Sequence, residues 1–197
     1  MPDSHPPSSI DVVASAVAGA DPDLREHSSP DGAVTLLFSD IEGSTAMLER
    51  MGDEAWFAFL RDHRAILCAL VDTFGGTVIK SQGDGFMVAF PSAQAGLRCA
   101  IELQRTFTQR PEANHGNGLR VRIGVHAGEA IADSNDFHGI NVVIAARIAD
   151  SAAGGEILVS AALTEFTEKD PAFSFGSKGS KPLKGLSGEH EIFAVRW

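Results

Sequence analysis

Residues 33–45, AVTLLFSDIEGST, set the frame for the rest of the chain. The apolar run at their start predicts a buried strand that delivers Asp40 to the edge of a sheet. Gly43, Ser44 and Thr45 then predict a turn into a helix, whose first N–H groups can hold an anion. A carboxylate beside such an anion pocket makes chemical sense if a cation lies between them. The alternative is that Asp40 merely ends a strand while Ser44 or Thr45 caps a helix.

Residues 77–90, TVIKSQGDGFMVAF, predict a β-hairpin with Gly83, Asp84 and Gly85 at its turn. The glycines let the backbone turn sharply and approach a ligand closely, although an Asp-Gly turn by itself needs no function. The first strand and this hairpin are expected to be neighbours, so Asp40 and Asp84 can share a pair of divalent cations. Two metals about 3.5–4 Å apart are the usual apparatus for in-line attack at phosphorus.

The rest of the chain alternates between helical and strand patterns. The pattern predicts an α/β sandwich, with a mostly antiparallel sheet flanked by helices, close to a ferredoxin-like palm. Residues 1–30 are rich in Pro, Ser and Asp and are predicted to form a flexible tail, which leaves residues 31–197 as one domain. The predicted helices cover residues 53–74, 93–107 and 140–152, and the later strands cover 119–131, 156–160, 173–175 and 191–197.

Composition narrows the possible partners. The formal net charge of −10 argues against a nucleic-acid surface, which needs clustered Lys and Arg, and leaves small anions bound by a few aimed groups. Cys68 and Cys99 lack metal-binding spacing and are interpreted as reduced, packed thiols. The apolar stretch near the N-terminus is too short to span a bilayer, so we expect no membrane insertion and a cytoplasmic location.

Seven blocks together resemble the class III nucleotidyl cyclase domain of bacterial type. They cover the chain from about residue 33 to the C-terminus in the family's order and spacing, and do not extend to residues 1–30. The blocks are FSDIEGST, KSQGDGFMVAF, VRIGVHAGEA, DFHG, VVIAARI, GGEILVS and LKGLSGEHEIFAV.

The resemblance implies roles for the first two motifs. Asp40 and Asp84 match the family's metal-binding aspartates, which hold two divalent cations, Mg²⁺ or Mn²⁺, with Ile41 also assigned to the metal site. By similarity, the turn wraps the substrate phosphates with backbone N–H groups, and Lys184 resembles a phosphate-binding Lys. The alternative for Lys184 is an ordinary solvated side chain. The residues implied for the turn are Ile41, Gly43, Ser44 and Thr45.

The resemblance also implies how the base is chosen. Lys80 and Asp136 match the family's base-reading positions, where Lys donates to adenine N1 and Asp accepts from the exocyclic amine. Guanine presents the reverse pattern and would favour an acidic residue at position 80, so the pair favours ATP. In this family one protomer's metal site is completed by the base-reading and transition-state residues of the other, which implies a homodimer with two shared active sites.

Helix 140–152 contains one departure from the family. Arg147 matches an Arg that steadies charge on the α-phosphoryl group, although an ion pair with Asp150 is an alternative reading. The family's Asn, four residues before that Arg, is replaced by Val143. Asn141 lies about 200° around the helix from Val143 and cannot substitute without a register change. Loss of such a contact slows turnover by orders of magnitude, so we expect a slow enzyme.

These residues predict an adenylate cyclase that converts ATP to 3′,5′-cyclic AMP and pyrophosphate by two-metal in-line attack of the ribose 3′-hydroxyl. A guanylate cyclase is an alternative that Lys80 and Asp136 disfavour. Val143 keeps open a degenerate domain that binds nucleotide without turnover. The DFHG and AAR blocks argue against another two-metal palm enzyme. His126 is interpreted as structural, because a His on an alternating strand is more often structural than a catalytic base.

Overall fold

A computed structural model describes residues 8–20, 24–30, 32–110, 119–129 and 136–197. A short 3-10 helix spans Leu24–His27. The helices are α1 (Ser9–Ala20), α2 (Ser44–Met51), α3 (Asp53–Thr73), α4 (Ala93–Thr108), α5 (Asp136–Asp150) and α6 (Ala161–Thr167). The strands are β1 (Ala33–Ile41), β2 (Thr77–Gln82), β3 (Gly85–Phe90), β4 (Val121–Glu129), β5 (Ile157–Ser160), β6 (Phe175–Pro182) and β7 (Glu189–Val195).

The strands form one sheet of seven in the order β2-β3-β1-β4-β5-β7-β6. Each neighbouring pair is antiparallel except β4 with β5, which are parallel. The predicted α/β sandwich with a mostly antiparallel sheet is therefore confirmed. The hairpin of β2 and β3 also turns at the residues that the Gly-Asp-Gly motif indicates.

Strand β1 is buried along nearly its whole length because helices cover both faces of the sheet. Leu37 and Ile41 of β1 belong to the cluster under α3, α4 and α6, which we call the α3–α4 face. Leu36 and Phe38 belong to the cluster under α1 and α5, which we call the α1–α5 face. Alternate side chains of β1 thus enter two separate cores, and its polar end emerges between them.

Within the predicted flexible tail, the structure differs from the sequence expectation. Residues 9–20 form α1, and its apolar residues recur at the spacing of one helix face. This face packs against α5 and the sheet in place of solvent, since the burial of four apolar side chains offsets the cost of ordering the segment. The buried side chains of α1 are Ile10, Val13, Ala14 and Val17.

Two smaller expectations concern the cysteines and the membrane. Cys68 and Cys99 are free thiols, and Cys99 is fully buried, as the interpretation as packed thiols predicts. Among the described helices, none combines the length and the apolar character that a bilayer crossing requires.

Candidate active site

Two carboxylates meet where β1 ends beside the tip of the β2–β3 hairpin. Ser39 of β1 lies opposite Phe86 of β3, and this register brings the following Asp40 close to the turn. The exposed fraction is 2% for Asp40 and 4% for Asp84. The amide of Ile41 donates to Oδ2 of Asp84 at 3.0 Å and ties the end of the strand to the hairpin. The structure therefore brings together the two carboxylates that the sequence motifs single out.

A guanidinium that the sequence analysis did not assign lies beside this pair. Arg122 of β4 is the register partner of Asp40 on β1. Its Nε donates to Oδ1 of Asp40 at 2.9 Å, and its Nη2 donates to Oδ2 at 2.7 Å. The strand alternation signals only which face Arg122 occupies, while the carboxylate opposite it follows from the pairing of β4 with β1. Arg122 is thus a further candidate site residue.

The charges around Asp40 favour a cation. Burial raises the pKa of Asp40 to about 6 against the opposing effect of Arg122, and the charges of Asp84 and Asp150 add to the rise. Carboxylates that share a site out of water are stabilised by a divalent ion, and oxygen donors suit Mg²⁺ or Mn²⁺. Within the described ranges, no group of three or more His, Cys, Asp or Glu side chains could hold a metal. The donor set therefore fits a cation that takes its remaining ligands from substrate phosphates and water, as Mg²⁺ commonly does.

The turn that follows β1 is fixed in place but leaves the start of α2 open. Gly43 has a φ of 72°, a left-handed conformation that favours glycine, and no side chain caps α2 at Ser44. Glu42 anchors the turn because Oε1 accepts from the Gly154 amide at 2.8 Å and Oε2 pairs with Arg120 at 2.6 Å. The first N–H groups of α2 therefore lack a side-chain acceptor and suit an anion.

Arg147 lies near the C-terminal end of α5 in a network of acceptors. It forms ion pairs with Asp150, at 2.8 Å, and with Asp11 of α1. Its Nε donates to the carbonyl oxygen of Lys184 at 3.1 Å. The side chain of Lys184 is exposed. Burial raises the pKa of Asp11, but the hydrogen bond and charge of Arg147, the hydrogen bond from the Ser8 amide and the charge of Lys184 together lower it. The structure thus brings Arg147 and Lys184 together, and it also contains the Asp150 pair that the alternative reading expects.

Asn141 does not take the place that Val143 leaves. Asn141 is buried, and its Oδ1 lies 3.0 Å from Nε2 of His126. The other ring nitrogen of His126 lies 2.9 Å from Oγ of Ser160, and burial lowers the pKa of this His. The network supports the interpretation of His126 as structural. The helix α5 continues through residues 141–147, so Val143 keeps its position one turn before Arg147.

Of the two residues predicted to read the base, the structure describes the side chain of Lys80 alone. Lys80 is exposed on the edge strand β2, where the pairing with β3 has an irregularity between Val78 and Lys80. Asp136 begins α5, and its side chain lies outside the described residues. Thr45 is exposed in the first turn of α2. The base-reading role of Lys80 and Asp136 therefore stays a prediction.

Helix α1 contributes polar contacts that the prediction of a tail did not include. Ser9 Oγ donates to Oδ1 of Asp84 at 2.6 Å, and Ser8 Oγ donates to Oδ1 of Asp150 at 2.9 Å. A capping box starts the helix, since the Asp11 amide donates to Ser8 Oγ at 3.1 Å and the Ser8 amide donates to Asp11 Oδ2 at 3.3 Å. This Ser-x-x-Asp pattern, followed by apolar residues at helical spacing, is a sequence signal that could have identified α1.

Comparison with known proteins was made at the levels of family, sequence and fold. The model of the adenylate and guanylate cyclase catalytic domain matches residues 26–196. An adenylate cyclase of Mycosarcoma maydis is 33% identical over 161 residues, 69% of this chain and 6% of that protein. An uncharacterized protein of Mycobacterium tuberculosis is 32% identical over 160 residues, 80% of this chain and 53% of that protein. The chain thus spans from under a tenth to about half of these relatives' length.

The fold comparison agrees with the family match. A solved structure of adenylate cyclases from Trypanosoma brucei in their monomeric state has a TM-score of 0.72 and 25% sequence identity. The superposition covers 85% of this chain and 90% of that chain.

Proposed function

The chain belongs to the adenylate and guanylate cyclase catalytic domain family, and we propose that it converts ATP to 3′,5′-cyclic AMP and pyrophosphate. The family match makes it a nucleotide cyclase domain, and the choice of ATP is the proposal. The observation that carries the proposal is the buried pair of Asp40 and Asp84, which β1 and the hairpin hold side by side. In the reaction the ribose 3′-oxygen forms a bond to the α-phosphorus, the bond to pyrophosphate breaks, and the hydroxyl proton is released.

Asp40 and Asp84, with Ile41 beside them, would hold two divalent cations, Mg²⁺ or Mn²⁺. When bound, such ions supply Lewis acidity to the 3′-hydroxyl and to the triphosphate. Arg122 keeps Asp40 oriented through two parallel hydrogen bonds and lowers the cost of its ionisation in a buried place. The protein thus supplies a fixed, desolvated pair of oxygen ligands.

We propose that the turn after β1, Arg147 and Lys184 bind the phosphates. The turn residues Gly43, Ser44 and Thr45 offer the N–H groups at the start of α2. Across the proposed homodimer, Arg147 would offer a guanidinium for the charge that develops on the α-phosphoryl group at the partner's metal site, and Lys184 would add a phosphate-binding cation. Positive groups aimed at the phosphates explain how a chain with a net charge of −10 can bind a triphosphate.

The choice of base rests on Lys80 and Asp136. A Lys donor and an Asp acceptor complement the edge of adenine and oppose that of guanine. We propose that these residues act across a homodimer, each reading the base held at the partner's metal site. The exposure of Lys80 on an edge strand is compatible with this role, because an edge strand is open to a second chain.

A second candidate function is nucleotide binding without turnover, and Val143 favours it. The apolar side chain removes a polar contact one turn before Arg147, and Asn141 is engaged with His126. Such a loss costs about 10²–10³ in rate where a donor to the transition state is removed. The proposed adenylate cyclase is therefore expected to be slow.

The test is to incubate the purified protein with ATP or GTP and with Mn²⁺ or Mg²⁺, and to measure cyclic products. We expect cyclic AMP from the wild-type protein and a loss of about 10³-fold or more in Asp40→Ala and in Asp84→Ala. Glu168→Ala, which changes an exposed carboxylate after α6, is the matched control and should retain full activity. ATP binding without any product would instead establish the second candidate.

A further inference from the structure

Helix α1 covers the candidate active site from the α1–α5 face. Its apolar side packs on α5 and on the inner strands β1 and β3, where small side chains allow a close approach. Its first turn reaches the hairpin tip, since a Cβ atom added to Gly85 would lie 2.9 Å from the Cβ and the carbonyl oxygen of Ser9. The start of α1 is therefore held directly against the beginning of β3, next to Asp84 in the hairpin turn.

Besides its own capping box, this first turn makes three polar contacts with the charged end of the site. Ser9 donates to Asp84 at 2.6 Å, Asp11 forms an ion pair with Arg147, and Ser8 donates to Asp150 at 2.9 Å. Apolar packing alone would hold α1 on the sheet, and these three contacts add polar interactions with the candidate site. The first turn of α1 therefore binds the groups to which the proposed function assigns cation and phosphate binding.

These contacts occupy the groups that a substrate complex would need. Oδ1 of Asp84 accepts from Ser9 and Oδ2 accepts from the Ile41 amide, so both carboxylate oxygens are engaged. The guanidinium of Arg147 is engaged by an acidic side chain, which is an anion as a phosphoryl group is. In the proposed homodimer, Asp84 and Arg147 of one chain serve two different shared sites. A nucleotide and its cation must therefore compete with α1 of one protomer for Asp84 and with α1 of the other for Arg147.

We propose that α1 is an intramolecular lid that closes the cyclase site by competition. The carboxylate of Asp11 binds Arg147 in place of a phosphoryl oxygen, and the hydroxyl of Ser9 binds Asp84 in place of a cation. This inference rests on the proposed function, because it assigns the covered residues to a nucleotide site. It predicts that binding of the cation and nucleotide displaces the first turn of α1, and that weakening the lid tightens binding.

The apparent affinity of a closed site is reduced by the fraction of molecules that are open. A variant that removes contacts of the lid, but leaves the site residues intact, raises this fraction. Ser9→Ala combined with Asp11→Asn is such a variant. Asp84 keeps its bond from the Ile41 amide, Arg147 keeps Asp150, and an Asn at position 11 keeps an acceptor for the helix cap. Two lost contacts should raise the apparent affinity for ATP with Mn²⁺ about tenfold.

The experiment uses the full chain and has two measurements. Hydrogen exchange of the amides of residues 12–17 is followed with and without saturating Mn²⁺ and ATP, and the dissociation constant for ATP with Mn²⁺ is measured by calorimetry. The controls are Ser15→Ala, on the exposed side of α1, and Asp62→Asn, on the exposed side of α3. Exchange of the β1 amides reports whether each variant is folded.

We expect the ligand to accelerate exchange in α1 at least tenfold in the wild-type protein, and the double variant to bind about tenfold more tightly than either control. Tight binding with unchanged or increased protection of α1 would overturn the lid while leaving the proposed function intact. Equal or weaker binding by the folded double variant would overturn it as well. Failure of every variant, with β1 protected, to bind ATP with Mn²⁺ would overturn the proposed function itself and the lid with it.

Discussion

The two faces of the sheet are covered by cores of different composition, and we expect substitutions in them to have different effects. The α3–α4 face is filled by large rings, among them Phe59, Phe90 and Phe107. The α1–α5 face holds a single buried phenylalanine, Phe38, among its described residues and is richer in alanine, including Ala145 and Ala149, with the polar residues of the candidate site at its end. The α3–α4 face is a close-packed aromatic core. On the α1–α5 face, the small side chains let helix backbones approach the sheet beside a group of charged residues.

We therefore expect the α3–α4 face to determine mainly the stability of the fold, and the α1–α5 face to affect mainly the candidate site. Large rings on the α3–α4 face bury much area each, so the fold depends on single residues there. On the α1–α5 face each Ala contributes little, and the polar contacts at its edge connect α1, α5 and the hairpin. Helix α1 can therefore detach at a lower cost than α4, since its buried side chains are fewer and smaller.

The largest effect is expected in the aromatic core. Phe107→Ala removes a fully buried ring from the α3–α4 face and should lower the free energy of unfolding by about 3–5 kcal/mol. Urea unfolding followed by circular dichroism measures it. The control Phe57→Ala, on a ring that is 69% exposed, should change the free energy by about 0.5 kcal/mol or less. Equal losses in the two variants would contradict the assignment of stability to this core.

The next effect is a dependence of stability on pH through His63. This ring is fully buried among Phe59, Phe86 and Phe107, and neither ring nitrogen has a hydrogen-bond partner in the described part of the chain. Burial lowers the pKa of His63 from 6.5 to about 4. Between these two pKa values the unfolded chain binds a proton at His63 and the native state does not. The contribution of His63 to the free energy of unfolding is therefore fully present above pH 6.5 and is lost as the pH falls towards 4.

The expected loss from His63 is about 3 kcal/mol between pH 7 and pH 4, on the scale of about 1.4 kcal/mol for each unit of pKa. His63→Phe should abolish this component while keeping an aromatic ring in the cluster. Urea unfolding at a series of pH values measures the slope for both proteins. A wild-type slope that survives unchanged in His63→Phe would show that other groups cause it.

A smaller effect is expected on the α1–α5 face, in rate and not in stability. Val143→Asn restores a polar side chain one turn before Arg147 and should raise turnover of ATP by about 10–100-fold, or about 1.4–2.7 kcal/mol at the transition state. The rate of cyclic AMP formation measures it. Ile140→Asn, at an exposed position of α5, is the control and should leave the rate unchanged. A rate that Val143→Asn does not raise would show that Val143 does not limit turnover.

The smallest effect concerns the choice of base. Lys80→Glu should lower the use of ATP relative to GTP by about tenfold, because the acidic side chain complements guanine and opposes the acceptor N1 of adenine. Competition between the two nucleotides in one assay measures the ratio. Lys169→Glu changes another exposed Lys and should have no effect on that ratio. An unchanged preference in Lys80→Glu would refute the base-reading role.

Local patterns predicted most of the elements. The helix predicted over residues 53–74 is α3, Asp53–Thr73, and the predicted hairpin is β2 with β3. These predictions hold because the apolar period and the glycine turns are local properties of the chain. Helix α1 was missed because its Pro- and Ser-rich surroundings outweighed a short apolar face that is stable only against α5 and the sheet.

The candidate site likewise has parts that follow from local sequence patterns and parts that depend on tertiary packing. The motifs identify Asp40 and Asp84, and their proximity follows from the expected pairing of β1 with the hairpin. The ion pair of Arg122 with Asp40 needs the register of β4, which spacing along the chain does not give. The contacts of Ser9 and Asp11 need the docking of α1.

By itself, the sequence determined the fold class, the two carboxylates and the family, because each is encoded in short segments whose period and turn residues have direct physical meaning. Only the tertiary structure decided that Arg122 neutralises Asp40 and that α1 covers the site. Both depend on contacts between residues far apart in the chain, such as Asp11 with Arg147, and such contacts follow from packing and register. The motif of two carboxylates is thus readable in the chain, while the contact of α1 with Asp84 is a property of the folded molecule.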